Sequence, residues 1–333
     1  MTATLPAQRP ARPHEALTAD AIRAARGRIP AEFRDTPQYV QEQLSAIAGS
    51  PVVVKVETVN PVRAFKGRGT WLAVHALAAA GRISEEQPVV VASTGNFGQG
   101  VAYAARAAGA SAVIFADVHA VPTKLDRIRA FGGLVIESGE DFDAAREASE
   151  AYARDHGLEL LVDGDDPLVG TGAGTIALEL TDAAERGELP PIANAYIPVG
   201  NGALIVGVGA WLRQVAPGCR VVGVQSEAAP SMTWSWREGR PIATERAATI
   251  ADGIATRVPV PAALELMDGR VDEMLLVREA DLPRAQAVLA NALGVTVEAA
   301  AGASWAGVLA DTDRRPGACL VLVTGSNVVT TTP

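Results

Sequence analysis

The 333-residue sequence is short of cysteine and histidine, and the shortage removes two classes of protein. Two cysteines, Cys219 and Cys319, cannot form a disulfide framework, and with four scattered histidines they make no zinc-ligand spacing. A reducing, cytoplasmic setting is therefore expected. Positive charge is also scarce: 29 Lys and Arg against 38 Asp and Glu leave a net −9, too acidic overall for a basic nucleic-acid-binding face. No apolar run approaches the ~20 residues of a membrane span. The N-terminus lacks the basic patch and apolar stretch of a signal peptide. Neither nucleic acid nor membrane is expected as a partner. No repeat is visible at a period of roughly 20–50 residues, which argues against a solenoid.

What remains is ordinary globular material, 48% apolar and 20% charged. The length suits about two domains of roughly 150 residues each. Residues 1–14, proline-rich and without periodicity, read as a mobile tail. Beyond them, short β-rich runs alternate with Ala/Leu-rich stretches. The runs are Val52–Val54, Val89–Val91, Ala112–Phe115, Leu160–Val162, Tyr196–Val199, Val221–Val224 and Leu320–Val323. Helical stretches lie between them, such as Trp71–Ala80, Gly100–Ala108, Thr175–Arg186 and Arg284–Leu293. This alternation predicts an α/β fold with mostly parallel strands buried on both faces. Ligands of such sheets bind beyond the carboxyl ends of the strands. Ser231–Thr249, rich in Trp and Arg without clear period, reads as a surface excursion near an active-site mouth.

Four strand ends carry residues suited to chemistry. After the Val52 run comes Asn60-Pro61-Val62-Arg63-Ala64-Phe65-Lys66-Gly67-Arg68-Gly69. A lysine at a helix start meets the positive end of the macrodipole, which favours the neutral, nucleophilic amine that imine chemistry needs. The bland alternative is a solvated lysine whose stem covers Phe65. After the Val89 run comes Ser93-Thr94-Gly95-Asn96-Phe97-Gly98, with hydroxyls, an amide and glycines opening a helix. That is either a carboxylate or phosphate site or a capped helix start. The Tyr196 run leads into Gly200-Asn201-Gly202-Ala203, similar to main-chain phosphate cradles but without the lysine of a P-loop. Thr324-Gly325-Ser326-Asn327 ends the last run, as a site or as a plain turn.

In this order and spacing, the four segments resemble the fold-type II pyridoxal-phosphate (PLP) enzymes, and among them the serine/threonine dehydratases and serine racemases. Weaker matches are Gly172-Ala173-Gly174-Thr175-Ile176-Ala177-Leu178-Glu179, Ala251-Asp252-Gly253-Ile254-Ala255, and Glu298 followed by Gly302. The resemblance covers the chain from about Thr36-Pro37 onwards. It implies two open, twisted, mostly parallel sheets flanked by helices, like the β subunit of tryptophan synthase. Residues 15–80 and 166–333 would form a large cofactor domain, with 81–165 a small domain carrying the carboxylate loop. Lys66 would hold PLP covalently and shuttle the α-proton, with Phe65 beside the cofactor. Asn96 would meet the ring hydroxyl, and Gly200, Asn201, Gly202 and Ala203 the phosphate. Ser93, Thr94, Gly95, Asn96 and Phe97 would line the substrate carboxylate site. Thr324 would face the pyridine nitrogen, where a hydroxyl leaves the ring a weaker electron sink and favours β-elimination over transamination.

The activity implied is dehydration and deamination of serine or threonine to a 2-oxo acid and ammonia, by a homodimer or larger assembly. A β- or γ-replacement synthase, such as threonine or cysteine synthase, is the alternative. Departures from the dehydratase pattern are Phe97 where histidine is usual, and Ala64 where serine is common, next to Arg63. The sharper role for Arg63 would be to read an anionic substrate group. Asn201 and Ala203 replace two of the loop's four glycines; asparagine tolerates left-handed backbone and so is compatible there, and Ala203 suits a first helical turn. Gln225 stands where racemases have the leading carboxylate of a cation site, so no metal is expected. With six residues after Asn327, no C-terminal effector domain is expected either.

Overall fold

The computed structural model describes residues 17–328, so the proposed tail lies outside the described residues. Ten strands are formed among the described residues. The first five are β1 (Gln38–Val40), β2 (Val52–Val56), β3 (Val89–Ala92), β4 (Ala112–Ala116) and β5 (Leu134–Glu137). The remainder are β6 (Glu159–Leu160), β7 (Ile192–Pro198), β8 (Arg220–Ser226), β9 (Glu273–Val277) and β10 (Ala318–Val323). They build two sheets. One has the order β1-β2-β10-β7-β8-β9, with β1 alone antiparallel; the other runs β5-β4-β3-β6 and is wholly parallel. The α/β architecture expected from the apolar runs is the one observed. The sequence runs missed β1, β5 and β9, whose ends are polar or exposed.

Twelve α-helices among the described residues cover the sheets. The first six are α1 (Ala19–Arg26), α2 (Glu42–Ala48), α3 (Lys66–Ala79), α4 (Asn96–Ala107), α5 (Pro122–Ala130) and α6 (Phe142–His156). The second six are α7 (Pro167–Glu185), α8 (Ala203–Val215), α9 (Ser231–Glu238), α10 (Pro261–Met267), α11 (Leu282–Leu293) and α12 (Ala299–Ala310). Helices α7, α8 and α10 bury apolar residues against one face of the six-stranded sheet, and α2, α11 and α12 against the other. A third apolar cluster lies under the four-stranded sheet, with α4 and α5. Helix α8 reads ALIVGVGAWLRQV, apolar all round, as a helix sandwiched between layers must be.

Helix α9 corrects the first half of the expected surface excursion, Ser231–Glu238, while the rest of it, to Thr249, holds no buried residue. Its Met232, Thr233 and Ser235 are buried, and Ser235 Oγ returns a 2.6 Å hydrogen bond to the Ser231 carbonyl. Hydroxyls that bond back into their own helix disguise a buried face as polar sequence.

Helices α3 and α7 meet through glycine. A Cβ on Gly172 would sit 2.6 Å from Gly69 Cα, so only glycine permits this approach. The contact fixes the start of α3, and with it Lys66.

Candidate active site

Three helix N-termini converge on one cleft: those of α3 at Lys66, α4 at Asn96 and α8 at Ala203. The cleft encloses about 230 Å³ and lies at the carboxyl ends of β3, β6, β7 and β10. All of the site residues expected from the sequence line it: Phe65, Lys66, Ser93, Thr94, Gly95, Asn96, Phe97, Gly200, Asn201, Gly202, Ala203 and Thr324. Segments from both sheets meet there, across more than 250 residues of sequence between Phe65 and Thr324.

Lys66 extends from the first turn of α3 with its amine 4.9 Å from the Phe65 ring centre and 5.5 Å from that of Phe97. Its ion-pair partner is Asp163, whose two carboxylate oxygens lie 2.7 and 2.6 Å from Nζ. The helix start thus comes with a counter-charge, which the reading of Lys66 from the macrodipole alone did not contain. Asp163 follows β6, and Asn201 Nδ2 approaches it at 3.4 Å.

The α4 end divides the two hydroxyls between the two readings of that loop. Ser93 Oγ accepts from the Gly95 and Gly98 amides at 3.2 and 2.9 Å, capping the helix. Thr94 makes no such bond among the described residues, so its hydroxyl and the remaining first-turn amides face the cleft. At α8, Gly202 takes the N-cap position with φ +96° and no side-chain cap. The left-handed position of this loop is Gly202, so the tolerance of asparagine for that backbone is not called on at Asn201; a Cβ at Gly202 would also lie 2.8 Å from Ala263 Cβ. Ala203 begins the helix, as its place in the loop suggested. Gly200 is held close to the Ala251–Ala255 segment, where a Cβ would be 2.7 Å from the Gly253 carbonyl oxygen.

Behind Lys66, Asn96 Nδ2 donates to both oxygens of Glu298, at 3.1 and 2.9 Å. Asn96 Oδ1 accepts from Asn327 Nδ2 at 2.7 Å, and the Asn327 amide donates to Glu298 at 2.8 Å. Burial pushes the Glu298 carboxyl up to about 7, against the pull of Lys124 and of the Asn96 hydrogen bond. Lys124 of α5 pairs with Asp252 at the cleft wall.

Arg63 is exposed and outside the residues lining the cleft, so it is not placed to read a bound substrate. Gln225 Oε1 accepts from the Thr233 amide and hydroxyl at 2.8 and 2.9 Å. Among the described residues, no three His, Cys, Asp or Glu side chains are grouped to hold a metal ion.

A family model described as pyridoxal-phosphate dependent enzyme matches residues 29–325. The chain belongs to that family. It is 33% identical to an L-threonine ammonia-lyase of Thermotoga maritima over 315 residues, 94% of this chain and 76% of the relative. The L-threonine ammonia-lyase of Geobacter sulfurreducens is 32% identical over 311 residues, 92% of this chain and 75% of that one. Among solved structures, a threonine deaminase from T.th. superposes with a TM-score of 0.85 at 29% identity, covering 95% of this chain and all of its own. Maize serine racemase gives 0.86 at 25% identity, covering 94% of each chain.

The cleft of this PLP enzyme suits its cofactor on its own evidence. The uncapped α8 end offers main-chain amides to a phosphate, with no acidic side chain in its first turn to compete. Thr324 is 5% exposed and turns its hydroxyl to no protein partner among the described residues, as a neutral contact for a ring nitrogen requires. The sequence reading left Asp163, Lys124 and Asp252 out of the site. Asp163 was within reach of the strand-end rule, since it directly follows the Leu160–Val162 run.

Proposed function

We propose that this PLP enzyme carries out β-elimination on serine, threonine or a close analogue, releasing a 2-oxo acid and ammonia. The observation that carries the reading is the convergence of the α4 and α8 N-termini, the latter without a side-chain cap, on the cleft that Lys66 lines. The bound cofactor supplies an electron sink that makes the α-proton of an attached amino acid removable. Gly200 to Ala203 would hold its phosphate by main-chain amides, Asn96 would serve its ring hydroxyl, and the Thr324 hydroxyl would be a neutral contact for its ring nitrogen. Lys66 would hold the cofactor and take the α-proton. The Thr94 hydroxyl and the amides of Gly95 and Asn96 fix the substrate carboxylate, setting the Cα–H bond towards Lys66. Phe65 and Phe97 keep water from the lysine nitrogen.

In this reading residues 81–165 act as a small domain that closes over the substrate, because the Ser93 loop, Lys124 and Asp163 come from the four-stranded sheet and its connections. A homodimer in the cytoplasm belongs to the same proposal, resting on the family resemblance; sedimentation reads the assembly. The deciding experiment supplies L-threonine and L-serine to the holoenzyme and measures 2-oxo acid and ammonia in equal amounts. Borohydride should fix the cofactor to the peptide containing Lys66. No 2-oxo acid from any β-hydroxy amino acid would overturn the reading. A product that forms only with an added thiol or amine would move it to β-replacement.

A further inference from the structure

Asn96 lines the cleft with a side-chain amide that carries a donor at one end and an acceptor at the other. The two ends have nearly the same shape, so hydrogen-bond partners rather than packing decide which one a ligand meets. Glu298 is one partner, accepting from Asn96 Nδ2 on both of its oxygens. Glu298 cannot fix the direction by itself. Burial raises its carboxyl to about 7 against the pull of Lys124, so near neutral pH it is an acceptor when ionised and a donor when protonated.

Asn327 can. It is 4% exposed, and its Nδ2 donates to the Val62 carbonyl at 2.8 Å. A main-chain carbonyl accepts in every protonation state, so it settles which end of the Asn327 amide is the nitrogen. The same Nδ2 donates to Asn96 Oδ1 at 2.7 Å. Asn96 must therefore give its oxygen to Asn327 and keep its nitrogen for Glu298 and the cleft. The segment that carries Asn327 is held from both sides. The Phe65 amide donates to the Thr324 carbonyl and the Ser326 amide to the Arg63 carbonyl, each at 3.0 Å, and the Glu298 amide donates to the Gly325 carbonyl at 2.9 Å. A Cβ on Gly325 would strike Glu298 Oε2, so glycine there lets the cluster close.

We propose that Asn327 is a positioning residue that sets the direction of the Asn96 amide, so that the cofactor's ring oxygen meets an N–H donor and not a carbonyl oxygen. This rests on the reading in which Asn96 serves that ring oxygen. A donor favours the ionised oxygen, whereas a carbonyl favours the protonated hydroxyl. An ionised aromatic hydroxyl absorbs at longer wavelength than the neutral group, so the colour of the bound cofactor reports the direction of the amide.

The test loads the native protein, Asn327→Asp, Asn327→Ala and Asn96→Asp with pyridoxal phosphate and records the cofactor absorbance without substrate. Asn327→Asp puts an acceptor where the donor was. Asn96 should then turn its nitrogen to residue 327 and its oxygen to the cleft, moving the absorbance to the shorter-wavelength band. Asn327→Ala removes the donor without supplying an acceptor and should give both bands. Asn96→Asp offers the cleft only oxygen and should match Asn327→Asp. Identical spectra for the two Asn327 variants, native or shifted, would reduce Asn327 to a structural role and overturn the proposal. If Asn96→Asp shifts the band and Asn327→Asp does not, the proposal falls while Asn96 keeps its place at the ring oxygen. If neither shifts it, the reading of Asn96 in the proposed function falls as well. Should the Asn327 variants fail to fold, a neutron structure of the native holoenzyme decides. Deuterons on the Asn96 atom that faces the cleft are expected, and a bare oxygen there would overturn the proposal.

Discussion

Lys66 and Arg68 stand two residues apart on α3, and at about 100° per residue they face nearly opposite sides of the helix. Their surroundings differ as sharply as their directions. Arg68 is completely buried and spends its donors on Glu57 at 2.8 and 2.9 Å, on Glu179 at 2.6 and 3.0 Å, and on Thr175 and Thr36. Lys55, also fully buried, adds a 2.6 Å bond to Glu179, which makes two cations against two anions. Lys66 has one acidic partner among the described residues, in a cleft open to ligands. A charge that must stay in place is given several redundant bonds. A charge that must react keeps a single partner, which a ligand can displace.

Exchanging the two fates gives the largest effects. Arg68→Ala strands Glu57 in the core and leaves Glu179 with Lys55 as its one cation, and breaking a buried ion pair from one side costs about 3–5 kcal/mol. It should lower the melting temperature by many degrees or prevent folding. Lys66→Ala should cost less, because it leaves one carboxylate without its single partner rather than breaking a shared network, while turnover disappears. Denaturant melts of both variants decide this. An Arg68→Ala protein as stable as the native one would dissolve the contrast.

The sequence exposes one side of this comparison and conceals the other. Lys66, Ser93 to Phe97, Gly200 to Ala203 and Thr324 could be found because each follows an apolar run, and strand ends are where α/β sheets place their ligands. Arg68 lay inside the quoted segment, yet nothing local marks it as buried. Its partners are 11 and 111 residues away, and only the closed fold brings them together. Asp163 did follow an apolar run, but its pairing with a lysine 97 residues away had no local sign. Patterns of apolar residues report layers and their edges. Charge pairs made across the chain leave no periodic trace.

Two glutamates extend the contrast to pH. Burial would raise Glu179, but the hydrogen bonds and charge of Arg68 and then Lys55 reverse this and hold it near 2. An acid held low stabilises the fold above its unfolded value, and that contribution fades as pH falls below about 4.5. Glu298 runs the other way, at about 7. Between about 4.5 and 7 the folded state binds a proton that the unfolded state has released, so its contribution is lost as pH rises through 7. Glu298→Gln should therefore gain stability relative to the native chain from pH 5 to pH 8, by an amount of the order of 3 kcal/mol. Urea melts at the two pH values measure it, and a difference that does not change with pH would show Glu298 to be ionised throughout.

A smaller effect separates the two hydroxyls of the carboxylate loop. Ser93→Ala removes the acceptor for two amides of α4 and should cost about 1 kcal/mol of stability. Thr94→Ala should leave the melting temperature within a degree or two and raise the KM for serine. If both variants lose stability equally, the loop has no division between cap and ligand contact.

The smallest effect lies at Arg63, three residues before Lys66, where strain is stored without any contact to the cleft. Its φ is +55°, a left-handed backbone for a side chain that disfavours it. The conformation is imposed from both ends: the Arg63 amide donates to the Asn60 carbonyl, and its carbonyl accepts from the Ser326 amide, each at 3.0 Å. The neighbouring Ala64–Gly325 bridge pins the same turn. Left-handed backbone costs an ordinary residue roughly 1–2 kcal/mol. Glycine escapes that cost but gives back about 0.5–1 kcal/mol through the greater freedom of its unfolded chain. Arg63→Gly should therefore raise stability by up to about 1 kcal/mol, which is the difference between those two terms. Because the side chain is exposed and lines no part of the cleft, turnover and KM should stay unchanged for neutral and acidic substrates alike. A selective rise in KM for an acidic amino acid would bring Arg63 into the site after all.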